Sequence, residues 1–269
     1  MEATTLTAWD RVCIARDSKR PKAIDYINAL FDDFIELCGD YLFGEDKSII
    51  GGIASYNGVP VTVIAQAKGK SVEENVKRNF GSTNPEGFRK AVRLAKQAER
   101  FNRPIITIVD TSGAYPGRGA EERGQSRAIA DSIMTFSNLN VPVFSIVIGE
   151  GGSGGALALS VANKIIMLEN AVYSILSPEG FASILFKDIS RTKEAAEKMK
   201  LTSSDLYKAG VVDYIISEPD GGAQHDFDLV IKQLNLVLTD LIDTYLKKDK
   251  EFIKYDRYQK FRKIGTINE

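Results

Sequence analysis

Two glycine-rich segments hold the residues whose types and spacing can do chemistry. The first, residues 146–159 (IVIGEGGSGGALAL), joins an apolar run to five glycines and then to a stretch made almost wholly of Ala, Leu and Ser. Glycines free the backbone for positive φ and let a ligand approach the main chain without meeting a Cβ. A helix starting directly after them leaves its first N–H groups without intrahelical partners. The combination predicts a neutral pocket of backbone donors suited to an oxyanion, polarising a carbonyl with amides instead of attacking it with a side chain. The second segment, residues 110–125 (DTSGAYPGRGAEERGQ), also stands where an apolar run ends. Open α/β sheets bind ligands at such strand ends. Gly113 and Ala114 are expected to offer donors at one strand end, Gly154 and Gly155 at the next. One preorganised oxyanion donor is worth about 3–4 kcal/mol.

Charged side chains near these loops fit either anion contacts or a solvated surface. Arg118, Arg123 and Arg127 lie in or just after the second segment, and Arg presents a planar fork to carboxylate or phosphate. Pairing with Glu121 and Glu122 competes with that role. Lys68, Lys70, Lys77 and Arg78 form a basic stretch that reads better as a solvated face than as a phosphate site.

The elements that must position these loops follow from periodicity. Residues 1–20 are polar and mixed, as in an N-terminal arm. Pro21 can open a helix, and Ile24, Ile27, Leu30, Phe31, Phe34 and Cys38 keep helical spacing up to Gly39. Strands are expected at 48–56 and 59–66, joined at Asn57-Gly58, a hairpin signal. A charged segment, 68–79, precedes a helix over 85–101. Strand 105–110, helix 122–138 and strand 141–148 follow. Beyond the glycine turn come helix 154–163 and strands 164–168 and 171–175. Near-continuous apolar runs such as IITIV, VFSIVI and KIIML point to a parallel α/β core with both faces covered. The chain reads as a single domain over 1–269 with a C-terminal helical extension over 226–269. There Val230, Leu234, Val237, Leu241 and Tyr245, widened by Leu238 and Ile242, form an apolar stripe, which packs on its own core or meets a partner subunit.

Composition narrows the function classes. With 269 residues, 43% hydrophobic and a net charge of −1, the chain can bury one large core, and that balance argues against nucleic acid as main partner. No run approaches the roughly 18 apolar residues of a membrane span, and the N-terminus shows no signal-peptide core. Two cysteines, Cys13 and Cys38, and one histidine, His225, fit a reducing, cytoplasmic setting. They are too few for a structural zinc site, so no metal is expected.

DTSGAYPGRGAEERGQ, GEGGSGGALAL and SPEGFASILFKD, in that order, resemble the carboxyltransferase α subunit of multi-subunit acetyl-CoA carboxylase. RNFGSTNPEGFRKAVRLAKQAERFNRPIIT and RYQKFRKIG are similar to that family too. The resemblance covers about residue 5 to the end. It implies an α/β crotonase-like fold, a spiral of β–β–α units. It also implies transfer of the carboxyl group from carboxybiotin, borne on a biotin carboxyl carrier protein, to acetyl-CoA, giving malonyl-CoA for fatty acid synthesis. The implied partners are a zinc-ribbon β subunit holding most of the acetyl-CoA site, and a biotin carboxylase that uses the ATP, in an α2β2 carboxyltransferase. No G-x-x-x-x-G-K-[ST] loop is present here. By the same resemblance Gly154 and Gly155 hold the carboxybiotin ureido oxygen. Gly113, Ala114, Tyr115, Pro116 and Gly117 shape that pocket together with Ala156.

Two departures and several rivals accompany this resemblance. The chain begins near where the family core begins, so the N-terminal helical extension of longer family members is expected to be missing. Gln66-Ala67 stands where many relatives read His-Gln, so neither residue is given a role. Residues 151–155 also satisfy G-x-S-x-G, the nucleophile elbow of serine hydrolases, with Ser153, Asp213 and His225 as a triad in chain order. A Clp-type peptidase would need the same pair. A hydratase acting alone would need an acid beside the loop, for which Glu150 and Glu179 are candidates. A scaffold without chemistry is the remaining class. A branched residue at Gly154 is expected to abolish transfer, whereas Ser153→Ala is expected to spare it.

Overall fold

Apolar runs too continuous to face water on either side set the architecture. The computed structural model describes residues 6–265; its strands are β1 (Asp32–Glu36), β2 (Ile49–Tyr56), β3 (Val59–Gln66), β4 (Ile105–Thr111), β5 (Val143–Gly152), β6 (Lys164–Leu168), β7 (Val172–Ser174) and β8 (Tyr214–Ile216), and the apolar runs lie in β2 to β6. These strands form one sheet in the order β1-β2-β3-β4-β5-β6-β8, with β7 on the far end of β5. Pairing is antiparallel from β1 to β3 and parallel beyond. Every residue of β4 is buried, as are the first seven of β5. Such burial requires cover on both faces. Gly51 lies against Leu94 of the helix Pro85–Arg100. From the opposite face of β2 the Tyr56 hydroxyl bonds Asn235 of the helix Phe227–Tyr245 at 3.1 Å.

The α/β spiral of β–β–α units expected from the sequence is present. β2, β3 and the helix Pro85–Arg100 make one unit, and the hairpin turns at Asn57 and Gly58 with φ of 48° and 80°. In the unit of β6 and β7 the two strands separate. β6 pairs with residues 144–147 of β5, β7 with residues 150–152.

Three local expectations are corrected. The helix expected up to Gly39 stops at Leu30, because residues 32–36 pair instead with the edge of β2. The glycines after Ile148 are not a turn. β5 runs through them to Gly152, where β7 gives them a partner strand, and a helix starts at Ser153 with φ of 56°. The helix expected over 122–138 is two, Arg118–Glu122 and Gln125–Asn138, broken at Gly124 with φ of 81°. Within the charged segment, residues Val72–Lys77 are helical behind Ser71, whose hydroxyl accepts from the Glu74 amide.

Segments near either end of the described residues pack onto the fold. In the expected arm, the helix Ala8–Ala15 buries Val12 and Ala15 against Val172 and Leu201. Residues 1–5 of that arm and 266–269 of the expected extension lie outside the described residues. Of the C-terminal stripe, Val230, Leu234, Leu238, Leu241, Ile242 and Tyr245 are buried and Val237 packs beside them. The stripe serves the chain's own core. Among the described residues no helix is long and apolar enough to cross a membrane.

Candidate active site

The two glycine-rich loops meet because their strands are neighbours. Thr111, last in β4, pairs with Gly151 near the end of β5. From there one strand enters the loop Ser112–Gly117 and the other the helix Ser153–Ser160. Gly152 is the N-cap of that helix and no side chain caps it. Gly154 and Gly155 therefore present first-turn amides that lack intrahelical partners.

Contact between the loops is intimate at Gly155. A Cβ there would stand 2.6 Å from the Ala114 nitrogen and 2.7 Å from the Gly113 carbonyl carbon. Backbone atoms cannot give way as a side-chain tip can, so only glycine fits. Gly154 differs: a Cβ there meets only the Ile129 Cγ2, at 3.6 Å. A side chain there would point toward Ile129 of the helix Gln125–Asn138. The expectation that bulk at Gly154 blocks the site therefore moves to Gly155.

Side chains that the sequence did not single out hold this junction. The Thr111 hydroxyl donates its one proton to the Gly81 carbonyl at 2.6 Å, stands 2.9 Å from the Gly113 carbonyl, and accepts from the Gly113 amide at 3.0 Å. The Gly113 amide is thus occupied, which corrects its assignment as a free donor. Gln66, given no role above, is fully buried and donates to the Gly155 carbonyl at 2.7 Å. Gln125 donates to the carbonyls of Thr83 and Tyr115 at 2.8 and 2.9 Å, fixing the loop from behind. Polar residues ending long apolar runs were the available signal, since a buried polar group must find a partner.

Charged residues sort differently from the sequence expectation. Arg123 is no free anion contact. It forks onto Glu86 at 2.9 and 3.2 Å and stacks over Phe43. Arg118 and Arg127 stay exposed, paired only with Glu122 and Asp131 along the surface. Lys68 belongs to no solvated face. Its side chain is 16% exposed and its ammonium lies 2.9 Å from Asp110 and 2.8 Å from Glu150. Lys70 pairs with Asp25, and Arg78 donates to the Lys47 carbonyl at 2.6 Å. Tyr115, partly exposed, lays its ring against Gly117.

The rival sites do not assemble. Asp213 accepts from the Ile165 amide at the start of β6 and pairs with Lys260, at the end of the sheet opposite Ser153. His225 packs against Gly221 in its own loop. Ser153 has neither as a partner. Glu150 and Glu179 are both bound by Arg16, at 2.7 and 2.6 Å. Burial pushes the Glu150 pKa up, but Lys68 and then Arg16 outweigh it and hold it below the usual value. Glu179 is likewise lowered, with Arg16 overcoming its partial burial. Carboxylates held ionised by cations are poor general acids and weak bases.

Among solved structures, transcarboxylase 12S superimposes with a TM-score of 0.71 at 21% identity, covering 90% of this chain and 44% of that one. The present chain thus spans under half of that protein. A Pseudomonas malonate decarboxylase hetero-tetramer gives 0.63 at 19% identity, covering 80% and 86%. At such identities the likeness is one of fold alone, the crotonase-like α/β class. Residues 2–265 match the family described as acetyl co-enzyme A carboxylase carboxyltransferase-like. Acetyl-coenzyme A carboxylase carboxyl transferase subunit alpha of Clostridium acetobutylicum is 56% identical over 264 residues, covering 98% of this chain and 96% of its own. The protein of that name from Shouchella clausii is 55% identical over 264 residues, covering 98% and 82%. The chain belongs to this carboxyltransferase family.

Proposed function

We propose that this chain is the α subunit of an acetyl-CoA carboxylase carboxyltransferase and supplies the carboxybiotin half of its site. Its substrates are carboxybiotin on a carrier protein and acetyl-CoA, its product is malonyl-CoA, and its place is fatty acid synthesis in the cytoplasm. One carboxyltransferase domain spans 1–269 in this reading. Relatives carrying the subunit name along 82–96% of their length support it. The single observation that carries the chemistry is the Gly155–Ala114 contact, which sets uncapped first-turn amides beside the Gly113 loop.

Carboxybiotin, when bound, supplies the carboxyl group and then a ureido nitrogen basic enough for the α-proton of acetyl-CoA. The amides of Gly154 and Gly155 donate to the ureido oxygen as negative charge builds there, and their preorganisation favours the transition state over the ground state. The loop of Ala114, Tyr115, Pro116 and Gly117, with Ala156 beneath, walls the pocket. Arg118, exposed at its rim and held only by a surface pair with Glu122, meets an acidic carrier. A zinc-ribbon β subunit completes the site with the enolate-binding half, in an α2β2 assembly served by a separate biotin carboxylase.

The test is carboxyl transfer to biocytin from malonyl-CoA, run with this chain alone and then with purified β subunit. Activity in the mixture and none in either part is the expected result. Ester or peptide hydrolysis by the chain alone, with an inactive mixture, would overturn the reading.

A further inference from the structure

The ends of β4 and β5 hold buried charges that the chemistry does not use. Asp110 precedes Thr111 in β4, Glu150 lies two residues before the N-cap Gly152, and both carboxylates converge on Lys68 just beyond β3. Their side chains are only 5% and 15% exposed. Asp110 also accepts from the Glu150 amide at 3.1 Å. A Cβ on Gly149 would stand 2.5 Å from the Asp110 carboxylate, so the strand passes that group without clearance. Lys68 lies under Gly81, whose carbonyl accepts from Thr111. Three strand ends and both glycine loops therefore share one ammonium.

From this geometry we propose that Lys68 is a positioning residue for carboxyl transfer, clamping the β4 and β5 ends so that the Gly113 loop and the Gly154–Gly155 turn hold their separation. This rests on the carboxyltransferase reading above. Lys68 touches no substrate and acts through Asp110 and Glu150. A neutral side chain of similar length leaves two carboxylates facing each other inside the fold, with like-charge repulsion and burial both favouring the protonated state. The other charged groups facing them are Arg16 on Glu150, the Glu218-paired Arg20 and Lys22, beside the buried, neutral Tyr26 hydroxyl. None of these bridges the two carboxylates as Lys68 does.

The consequence has a sign. In the native chain Glu150 titrates below its usual value, so its stabilisation is present above the unfolded pKa and lost only as pH falls further into acid. In Lys68→Met the Glu150 pKa moves above its unfolded value. The variant then loses stability as pH rises from about 4.5 through that raised pKa.

The experiment compares native, Lys68→Met and Lys68→Arg chains, each mixed with β subunit, and each alone. Misplacement near 1 Å lowers turnover by about a hundredfold. Lys68→Met is expected to lower kcat by that factor with KM for acetyl-CoA within twofold. Its melting deficit should widen between pH 5 and 8, and amides 113–115 and 150–155 should exchange hydrogen faster while those of β6 do not. Lys68→Arg should recover most of kcat. An inactive native mixture would remove the carboxyltransferase reading itself. An active native mixture, with a Lys68→Met variant of unchanged kcat, pH profile and local exchange, would overturn the clamp alone. So would a Lys68→Met variant that loses stability equally at every pH with uniform exchange. Should Lys68→Met fail to fold, Glu150→Gln, which keeps the Lys68–Asp110 contact, is expected to lower kcat about tenfold with faster exchange only at 150–155. Unchanged kcat and exchange there would again refute the clamp.

Discussion

Gly155→Ala, set against Gly154→Ala, probes the loop junction with one carbon atom. At Gly155 the new Cβ would sit 2.6 Å from the Ala114 nitrogen, whereas ordinary contact begins near 3.4 Å. The shortfall is about 3.4 − 2.6 = 0.8 Å, and all three nearest atoms belong to the Gly113–Ala114 backbone. Either the helix Ser153–Ser160 or the loop must move by that amount. Overpacking of this kind costs about 1–3 kcal/mol in stability. Displacement by nearly 1 Å lowers a positioned reaction by about a hundredfold. At Gly154 the same atom makes only an ordinary contact with Ile129 at 3.6 Å, and Ala is the better helix former. Gly154→Ala should keep its melting temperature within 2–3 °C, roughly the span of 0.5–1 kcal/mol for a chain this long. The assay is malonyl-CoA-dependent carboxyl transfer to biocytin in the mixture with β subunit, beside thermal melts of each chain alone. Gly155→Ala retaining more than a third of native kcat, or Gly154→Ala losing as much as Gly155→Ala, would refute the reasoning from close approach.

Other consequences are separable from this one. Gln66→Leu removes the donor to the Gly155 carbonyl. It should cost about 1–3 kcal/mol and lower kcat more than KM; unchanged kcat would mean that the helix start needs no such anchor. Ser153 has φ of 56°, a region that L-residues enter at a cost of about 1–2 kcal/mol. Ser153→Gly should therefore raise the melting temperature and keep carboxyl transfer, whereas a nucleophilic serine would lose everything. Arg20 and Glu218 form a buried pair with side chains 2% and 0% exposed. Arg20→Met leaves Glu218 unpaired, and a loss of about 3–5 kcal/mol in a denaturant melt is expected; less than 1 kcal/mol would contradict a dry pair. Glu218, lowered by Arg20 against the opposing effect of burial, gives stability present above about pH 4.5 and lost as pH falls below it. Acid unfolding should shift toward higher residual stability at low pH in Arg20→Met relative to neutral pH, and a parallel shift at all pH values would exclude that linkage.

Some of this protein was written in its sequence. Continuous apolar runs made β4, β5 and β6 legible as buried parallel strands, because strands covered on both faces cannot alternate. Asn57-Gly58 announced its hairpin, and the ordered glycine motifs pointed to backbone chemistry at two strand ends. What periodicity could not reveal was competition between elements. Residues 32–36 keep helical spacing yet pair with β2, since an open strand edge outweighs a weak helical stripe. The glycines of 149–152 look like a turn but extend β5, because β7 arrives from elsewhere in the chain to pair with them. The partners of Lys68, Arg123 and Gln66 were equally hidden. Each lies dozens of residues away, at Glu150, Glu86 and Gly155, and a charge on a sequence does not say whether water or a carboxylate will face it. The sequence by itself determined the chemistry on offer: backbone amides at two glycine-rich strand ends, beside a serine, an aspartate and a histidine that only the structure shows to be apart. Only the tertiary structure decided which glycine must stay bare and which charges hold the strands together, because both depend on distances between atoms far apart along the chain.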